Sequence, residues 1–99
     1  MPYAFVQDVP ADEKMYREVT ELLPTEAPAG LVAHFAVKRD GGLRYIDVWE
    51  TKDAWDTFHH DLLDPAVEKV LAGYGLPHTR DGVTFEEIDV VDVWVGDAR

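Results

Sequence analysis

The sequence predicts an α+β domain in which a four-stranded antiparallel sheet carries two helices on one face. Two strand-like segments, 31–38 and 43–50, flank an Arg-Asp-Gly-Gly sequence, and Asp-Gly is a favoured pair for a tight hairpin turn. Apolar residues recur at helical spacing before and after this hairpin, over 12–23 and 52–73. Segments rich in β-favouring residues precede the first helix and follow the second.

Each element has a local signal of its own. Tyr3 to Val9 favours a strand, and Thr51 is expected to cap the second helix. Asp64-Pro65 is expected to break or kink that helix. The last strand is predicted over Val83 to Val95, with a bulge or bend where its alternation slips between Glu87 and Val91. The order is β-α-β-β-α-β, the ferredoxin-like arrangement.

Both faces of the central hairpin are apolar, although a sheet face in contact with water is expected to be polar. With a two-residue turn at Asp40-Gly41, one face pairs Phe35 with Ile46 and Ala33 with Val48. The other face pairs Ala36 with Tyr45, His34 with Asp47 and Val32 with Trp49. We expect the first face to pack on the helices and the second to face another copy of the chain. A turn at Gly41-Gly42 would keep the same faces but pair His34 with Trp49, whereas a three-residue loop would scramble the faces.

Composition limits the partners of this chain. Nine basic and twenty acidic residues give a net charge of −11, which argues against nucleic acid or an anionic membrane as a partner. With 99 residues, the chain is expected to form a single domain, 1–99.

Three residue types that carry common chemistry are missing from the sequence. The sequence contains no cysteine, serine or asparagine, which excludes thiol and serine nucleophiles, disulfides and N-glycosylation. No signal-peptide pattern and no apolar stretch of membrane-spanning length is found, so we expect a cytoplasmic protein.

His34 and Asp47 are the candidate catalytic pair, because neighbouring strands are expected to hold them in contact. A carboxylate that accepts one imidazole N–H fixes the tautomer and leaves the other nitrogen as a positioned general base. Such a base can deprotonate a phenol or an acidic carbon. The structural alternatives, a His-Asp bridge across the dimer cavity or a histidine bonded to backbone or water, are favoured over catalysis because polar pairs are common inside interfaces.

Aromatic side chains are candidates for the wall of a pocket that binds a flat apolar ligand. The residues expected to contact such a ligand are Tyr45, Trp49, Phe5, Phe58, His59 and Trp94. For any single aromatic residue among them, a place in the core is the favoured interpretation. Adjacent histidines on a helix diverge, so the His59-His60-Asp61 sequence is a poor metal site, and no metal is expected.

The segment Tyr45 to Trp55, with Gly30 to His34 before it and Phe58 and Leu62 after it, resembles the dimeric α/β-barrel superfamily. It is most similar to small bacterial proteins grouped with the antibiotic-biosynthesis monooxygenases. The resemblance implies a homodimer with facing sheets. Members of the superfamily include cofactor-free oxygenases of polyketide aromatics, haem-degrading enzymes, isomerases and cyclases.

The haem-degrading branch fits this chain poorly. Its pattern has an asparagine on the first strand, a tryptophan in the second helix and an iron-binding histidine further along. This sequence has no asparagine, and it places Phe58 and Glu68 at the other two positions. We therefore expect no bound cofactor. A Pro2 amine would suit a tautomerase, but the Trp49-Glu50-Thr51 junction is not part of that pattern.

These observations predict a homodimer that binds a small apolar or aromatic molecule. In the enzyme hypothesis it is a cofactor-free oxygenase, cyclase or isomerase with His34 as the base and Asp47 as its orienting partner. In the alternative hypothesis it is a non-catalytic ligand-binding or stress-associated protein. A third hypothesis is a docking module of a larger enzyme.

Overall fold

The fold is a four-stranded antiparallel sheet with strand order β2-β3-β1-β4 and helices on one face. The computed structural model describes residues 2–96; residues 1 and 97–99 of the predicted domain 1–99 lie outside that range. The elements are β1 (Tyr3–Val9), α1 (Glu13–Glu21), β2 (Leu31–Arg39), β3 (Gly42–Trp49), α2 (Lys52–Phe58), a π-helical turn (His59–Leu63), α3 (Asp64–Gly73) and β4 (Thr84–Ile88). The predicted ferredoxin-like fold is confirmed.

The first two helices begin at side-chain caps. The Asp12 carboxylate accepts a hydrogen bond from the Met15 amide at 2.8 Å, and the Thr51 hydroxyl accepts one from the Ala54 amide at 3.1 Å. Each cap satisfies an amide that has no partner in the first turn of its helix. The predicted cap at Thr51 is confirmed.

The helical stretch after Thr51 continues past Pro65, so of the predicted break or kink the break is wrong. One π-helical turn, His59–Leu63, joins α2 to α3, and Pro65 lies in the first turn of α3. Proline is tolerated there because the amide that it lacks would have no helical partner. The Asp64 amide donates to the carbonyl of His59, five residues earlier, and this spacing defines a π-helical turn.

The hairpin register agrees with a two-residue turn. His34 pairs with Asp47, Phe35 with Ile46, and Arg39 with Gly42. Among the described residues only glycines have positive φ, so the turn uses Gly41 alone (φ 80°). A register shift between Leu31 and Ala33 pairs Leu31 with Trp49, so the predicted pairing of Val32 with Trp49 is wrong.

The predicted orientation of the two faces is wrong. Trp49 packs on Trp55 and Phe58 of α2, and His34 bonds to Tyr16 of α1, so the His34 face lies beneath the helices. Phe35 is on the opposite face and is 57% exposed. Because both faces are apolar, alternation could not tell which one the helices cover. The bulky aromatic residues of α2 pack against the aromatic face of the sheet.

The last strand is shorter than predicted. β4 covers only Thr84–Ile88, and residues 89–96 are irregular. Ala4 of β1 pairs with Ile88, so residue 89 is the last one that could reach Tyr3, the first residue of β1. Beyond this point the chain has run past the end of its neighbouring strand, and its β-favouring residues have no ladder to join.

The core lies between the sheet and α2. Phe5 and Trp49 are each 1% exposed, and Trp55 packs on both, with ring centroids 4.6 and 5.6 Å away. Such aromatic pairs stabilise the fold beyond the area that they bury. Within residues 2–96 no helix has the length and apolar character needed to cross a membrane.

Gly30→Ala is expected to lower the free energy of unfolding by about 2–4 kcal/mol, as measured by urea denaturation. The backbone at Gly30 is left-handed (φ 87°), and an added Cβ would lie 2.5 Å from the Ala54 Cβ in α2. Gly75 provides a matched control, because its φ is 71° and nothing lies within 4 Å of an added Cβ. Gly75→Ala is expected to cost about 1–2 kcal/mol. Equal losses in the two variants would contradict the importance of this close approach.

Candidate functional site

The predicted catalytic pair is in direct contact. His34 and Asp47 are cross-strand partners in the β2–β3 ladder, and their side chains project from the same face. His34 Nδ1 lies 2.6 Å from Asp47 Oδ1. An ionised carboxylate can only accept, so Nδ1 carries the proton and Nε2 presents its lone pair. The His34 side chain is 30% exposed, whereas that of Asp47 is 6% exposed.

The second oxygen of Asp47 is also bonded. Trp49 Nε1 donates to Asp47 Oδ2 at 3.0 Å, from two residues further along the same strand. Because side chains alternate along a strand, residues 47 and 49 share one face and can contact each other. Both oxygens of the carboxylate are therefore held, and the orientation of His34 depends on a group that is itself fixed.

Sequence reasoning missed Tyr16, the residue of α1 that completes the site. Its hydroxyl lies 2.9 Å from His34 Nε2 and donates to the nitrogen that Asp47 leaves free. The two rings are nearly parallel, at 5°, with centroids 6.1 Å apart. Tyr16 belongs to the apolar stripe of its helix, and only the placement of α1 over the His34 face shows that it has a polar partner.

Tyr45 lies beside both His34 and Tyr16, and with Asp47 these residues form the His34 cluster. Its ring centroid lies 5.7 Å from that of His34 and 5.6 Å from that of Tyr16. Burial raises the pKa of Tyr45 to about 12, and the neighbouring Tyr16 and Asp47 charges add to this shift. Burial and the Asp47 charge also raise the pKa of Tyr16. Both phenols therefore remain protonated at neutral pH.

Three of the predicted ligand contacts belong to the aromatic core. Phe5 and Trp49 are buried, and Phe58 packs on Trp49 with a centroid distance of 5.4 Å. Phe5 and Trp49 are each 1% exposed within this chain, and their place in a pocket wall stays a prediction. Of the predicted aromatic wall, Tyr45 is the residue that lies beside His34.

The two remaining predicted contacts lie apart from this cluster. His59 stacks on Trp55 at 4.9 Å, and its Nε2 is 3.1 Å from Asp64 Oδ1, as expected for a half-buried histidine. Trp94 is 91% exposed in the irregular segment after β4, and its Nε1 donates to Asp92. Within this chain, neither residue contributes to the surroundings of His34.

Metal-binding geometry is absent from the part of the chain that the structure describes, where no three His, Cys, Asp or Glu side chains converge on a common point. Two open clefts lie away from His34. One, of about 430 Å³, separates α1 from α3 near Lys14 and Tyr74. The other, of about 150 Å³, lies beside the β2–β3 turn. The Tyr16 hydroxyl, 2.9 Å away, is the group that lies against His34 Nε2.

The chain is similar in fold to several solved structures. No family model matches it, and no curated protein does. Among solved structures, a protein from Caulobacter crescentus that is provisionally named an antibiotic biosynthesis monooxygenase has a TM-score of 0.66 at 12% identity, over 92% of this chain and 91% of that one. A Nitrosomonas europaea protein of unknown function has a TM-score of 0.63 at 15% identity, over 98% and 95%.

A third solved structure has a similar fold. A Jannaschia protein described as dimeric, ferredoxin-like and of unknown function has a TM-score of 0.55 at 19% identity, over 90% of this chain and 98% of that one. At these identities the comparisons establish the fold. They confirm the predicted structural resemblance to proteins named as antibiotic biosynthesis monooxygenases and to a ferredoxin-like dimer.

Tyr45→Phe is expected to reduce the loss of stability at alkaline pH. The pKa of Tyr45 is raised from 10 to about 12, so its contribution to the free energy of unfolding is complete below pH 10 and disappears as the pH rises towards 12. Urea denaturation at pH 8, 10 and 11.5 should therefore show a smaller decline for the variant than for the wild type. The other tyrosines are present in both proteins, and the loss of the charge interaction between Tyr16 and Tyr45 in the variant also reduces the decline. Parallel declines would show that Tyr45 is not buried as described.

Proposed function

We propose that this chain forms a homodimer that binds a small aromatic or apolar molecule and uses His34 as a general base. The observation that carries the proposal is the contact between His34 Nδ1 and the buried, doubly held carboxylate of Asp47. This arrangement fixes one tautomer of the imidazole and points Nε2 away from the carboxylate. A general base positioned in this way is what proton abstraction from a phenol or an acidic carbon requires.

The chemistry of such a site needs no cofactor. A proton moves from the ligand to His34 Nε2, and the imidazolium that forms is stabilised by the charge of Asp47. Reprotonation of the ligand anion at another atom gives an isomerisation, and attack by its carbanion on a carbonyl carbon within the same molecule gives a cyclisation. An electron-rich anion can also react directly with dioxygen. The fold that the chain shares with proteins named as monooxygenases is compatible with this last route.

A second candidate function is ligand binding without catalysis. It is favoured because both ring nitrogens of His34 already have partners: Tyr16 bonds to Nε2, and Asp47 bonds to Nδ1. The other oxygen of Asp47 is bonded to Trp49. In this hypothesis the cluster serves to pack α1 against the sheet. Replacing His34 would then change the stability of the protein and no reaction rate.

The proposed homodimer is supported by the uncovered face of the sheet. The register places a continuous set of apolar side chains on the side opposite the helices: Ala4, Val6, Ala33, Phe35, Val37, Ile46, Val48 and Ile88. Phe35, Val37 and Ile88 are 57%, 42% and 38% exposed. An apolar patch of this extent is typical of an association surface.

The same face has a polar end. Asp8 accepts hydrogen bonds from Arg39 and Arg44, and the Arg44 guanidinium holds the pKa of the Asp8 carboxyl below its usual value. An apolar centre with a charged rim is the usual composition of a protein interface. A second copy presents an identical face, so two sheets can cover each other about a twofold axis.

The segment after β4 is also proposed to contact the second copy. Val91, Trp94 and Val95 are 99%, 91% and 67% exposed, and the register leaves them no strand of their own chain to join. Trp94, predicted from the sequence as a ligand contact, would then act at or beside the dimer interface.

His34→Gln is expected to lower the rate of base-catalysed proton exchange by at least about 100-fold, since that is the usual contribution of a positioned base. The measurement is hydrogen–deuterium exchange at the acidic carbon of 2-tetralone, an aromatic ketone, followed by NMR in D₂O. His60→Gln is the matched control, because His60 is 87% exposed and bonds only to Asp61. If the wild type shows no exchange above the rate in protein-free buffer, the non-catalytic candidate is favoured. Equal rates in the wild type and His34→Gln would reject His34 as the base.

Phe35→Asp is expected to shift the protein from dimer to monomer at micromolar concentration, because a carboxylate would be buried between the facing sheets. Sedimentation velocity and light scattering measure the change. Leu76→Asp is the matched control, since Leu76 is 49% exposed and lies outside the sheet, after α3. A wild type that is monomeric at this concentration would contradict the proposed homodimer.

A further inference from the structure

Helix α1 is held over the site by few buried contacts. None of its residues is buried. Its polar contacts with the sheet are the Tyr16–His34 bond and the approach of the Glu13 carboxylate to the Nζ of Lys38, at 3.4 Å, and that lysine is 83% exposed. Met15 and Val19, on the apolar stripe of the helix, are half-buried. Its other side is bonded to α3 by the Tyr74 hydroxyl, which donates to Glu18. Tyr16 can therefore move away from the sheet without exposing a fully buried residue of its helix.

Tyr16 presents an aromatic hydroxyl to the candidate base. The phenol donates to His34 Nε2 at 2.9 Å, its ring lies parallel to the imidazole, and Tyr45 flanks both rings. A neutral imidazole nitrogen has one lone pair, so it accepts one hydrogen bond at a time. Tyr16 and any ligand that would use His34 as a base therefore compete for the same atom.

We propose that Tyr16 is an internal occupant of the site: its phenol holds the position that a ligand's aromatic hydroxyl takes, and a ligand binds by displacing it. The proposal rests on the proposed function, because it assumes that His34 Nε2 is the atom that meets the ligand. It identifies the ligand class as aromatic compounds with a free hydroxyl. It also makes Tyr16 a gating residue, since its contact closes the site when no ligand is present.

Whether a ligand displaces Tyr16 depends on the relative acidity of the ligand hydroxyl and the Tyr16 phenol, which both donate to His34 Nε2. The raised pKa of Tyr16 keeps its phenol protonated, so it serves as a hydrogen-bond donor and not as a base. A more acidic aromatic hydroxyl forms a stronger hydrogen bond with the same nitrogen. Removing the competing hydroxyl is expected to strengthen ligand binding about three- to tenfold, the equivalent of one net hydrogen bond.

Tyr16→Phe tests this proposal, because it removes the hydroxyl and keeps the ring. The probe is p-nitrophenol, whose absorbance reports both binding and ionisation. We expect Tyr16→Phe to bind it about three- to tenfold more tightly than the wild type, and this gain to vanish in the double variant Tyr16→Phe/His34→Gln. Equal or weaker binding by Tyr16→Phe would overturn the proposal, as would no binding at all. Exchange of 2-tetralone that still depends on His34 would leave the proposed function standing in either case.

A ligand-independent measurement tests whether the hydroxyl closes the site. Diethyl pyrocarbonate modifies unprotonated imidazole nitrogens, and peptide mass spectrometry gives a separate rate for each histidine. His34 should react several-fold faster in Tyr16→Phe, with the exposed His60 as the internal reference. Tyr74→Phe is the control, because it removes a bond between α1 and α3 without touching His34. An unchanged His34 rate in Tyr16→Phe, or an equal increase in Tyr74→Phe, would overturn the assignment to the Tyr16 hydroxyl.

Discussion

The buried carboxylate of Asp47 is the group on which the rest of the site depends. It lies in the middle of β3, is 5% exposed, and would be costly to bury without partners. His34 and Trp49 supply one donor to each oxygen. One of these donors belongs to the neighbouring strand, and the other belongs to a tryptophan of the aromatic core. The same carboxylate therefore joins the hairpin, the core and the candidate base.

The helix-covered face of the sheet has a tightly packed side, under α2, and a side with fewer buried contacts, under α1. On the side of α2, Phe5, Trp49 and Trp55 form a tightly packed core that fixes β1 and β3. On the side of α1, Tyr16 and Tyr45 surround His34 with partial exposure. A base that is anchored from the tightly packed side and covered from the other side can keep its orientation while its cover moves. This is the physical basis for proposing a site at His34 and a gating role for Tyr16.

The two faces of the sheet carry different kinds of apolar residue. The face beneath the helices is aromatic and includes the polar cluster, whereas the outer face is mainly aliphatic, with Phe35 as its aromatic residue. Aromatic rings on the sheet and on α2 fill the space under the helices. Smaller side chains leave the outer face flatter, which suits contact with another sheet. The proposed second copy explains why this outer face is apolar at all.

The sequence by itself determined the element order, the cap at Thr51 and, with the turn placed at Asp40-Gly41, the hairpin register from the turn to Ala33, which includes the meeting of His34 with Asp47. These features depend on local signals and on the two-residue period of strands. Tertiary structure alone decided which face the helices cover, the end of β4 at Ile88 and the contact of Tyr16 with His34. The faces could not be assigned beforehand because both are apolar. The limit of β4 and the partner of Tyr16 depend on residues distant in the chain, since β4 ends near the start of β1 and α1 meets β2 only after the chain has folded.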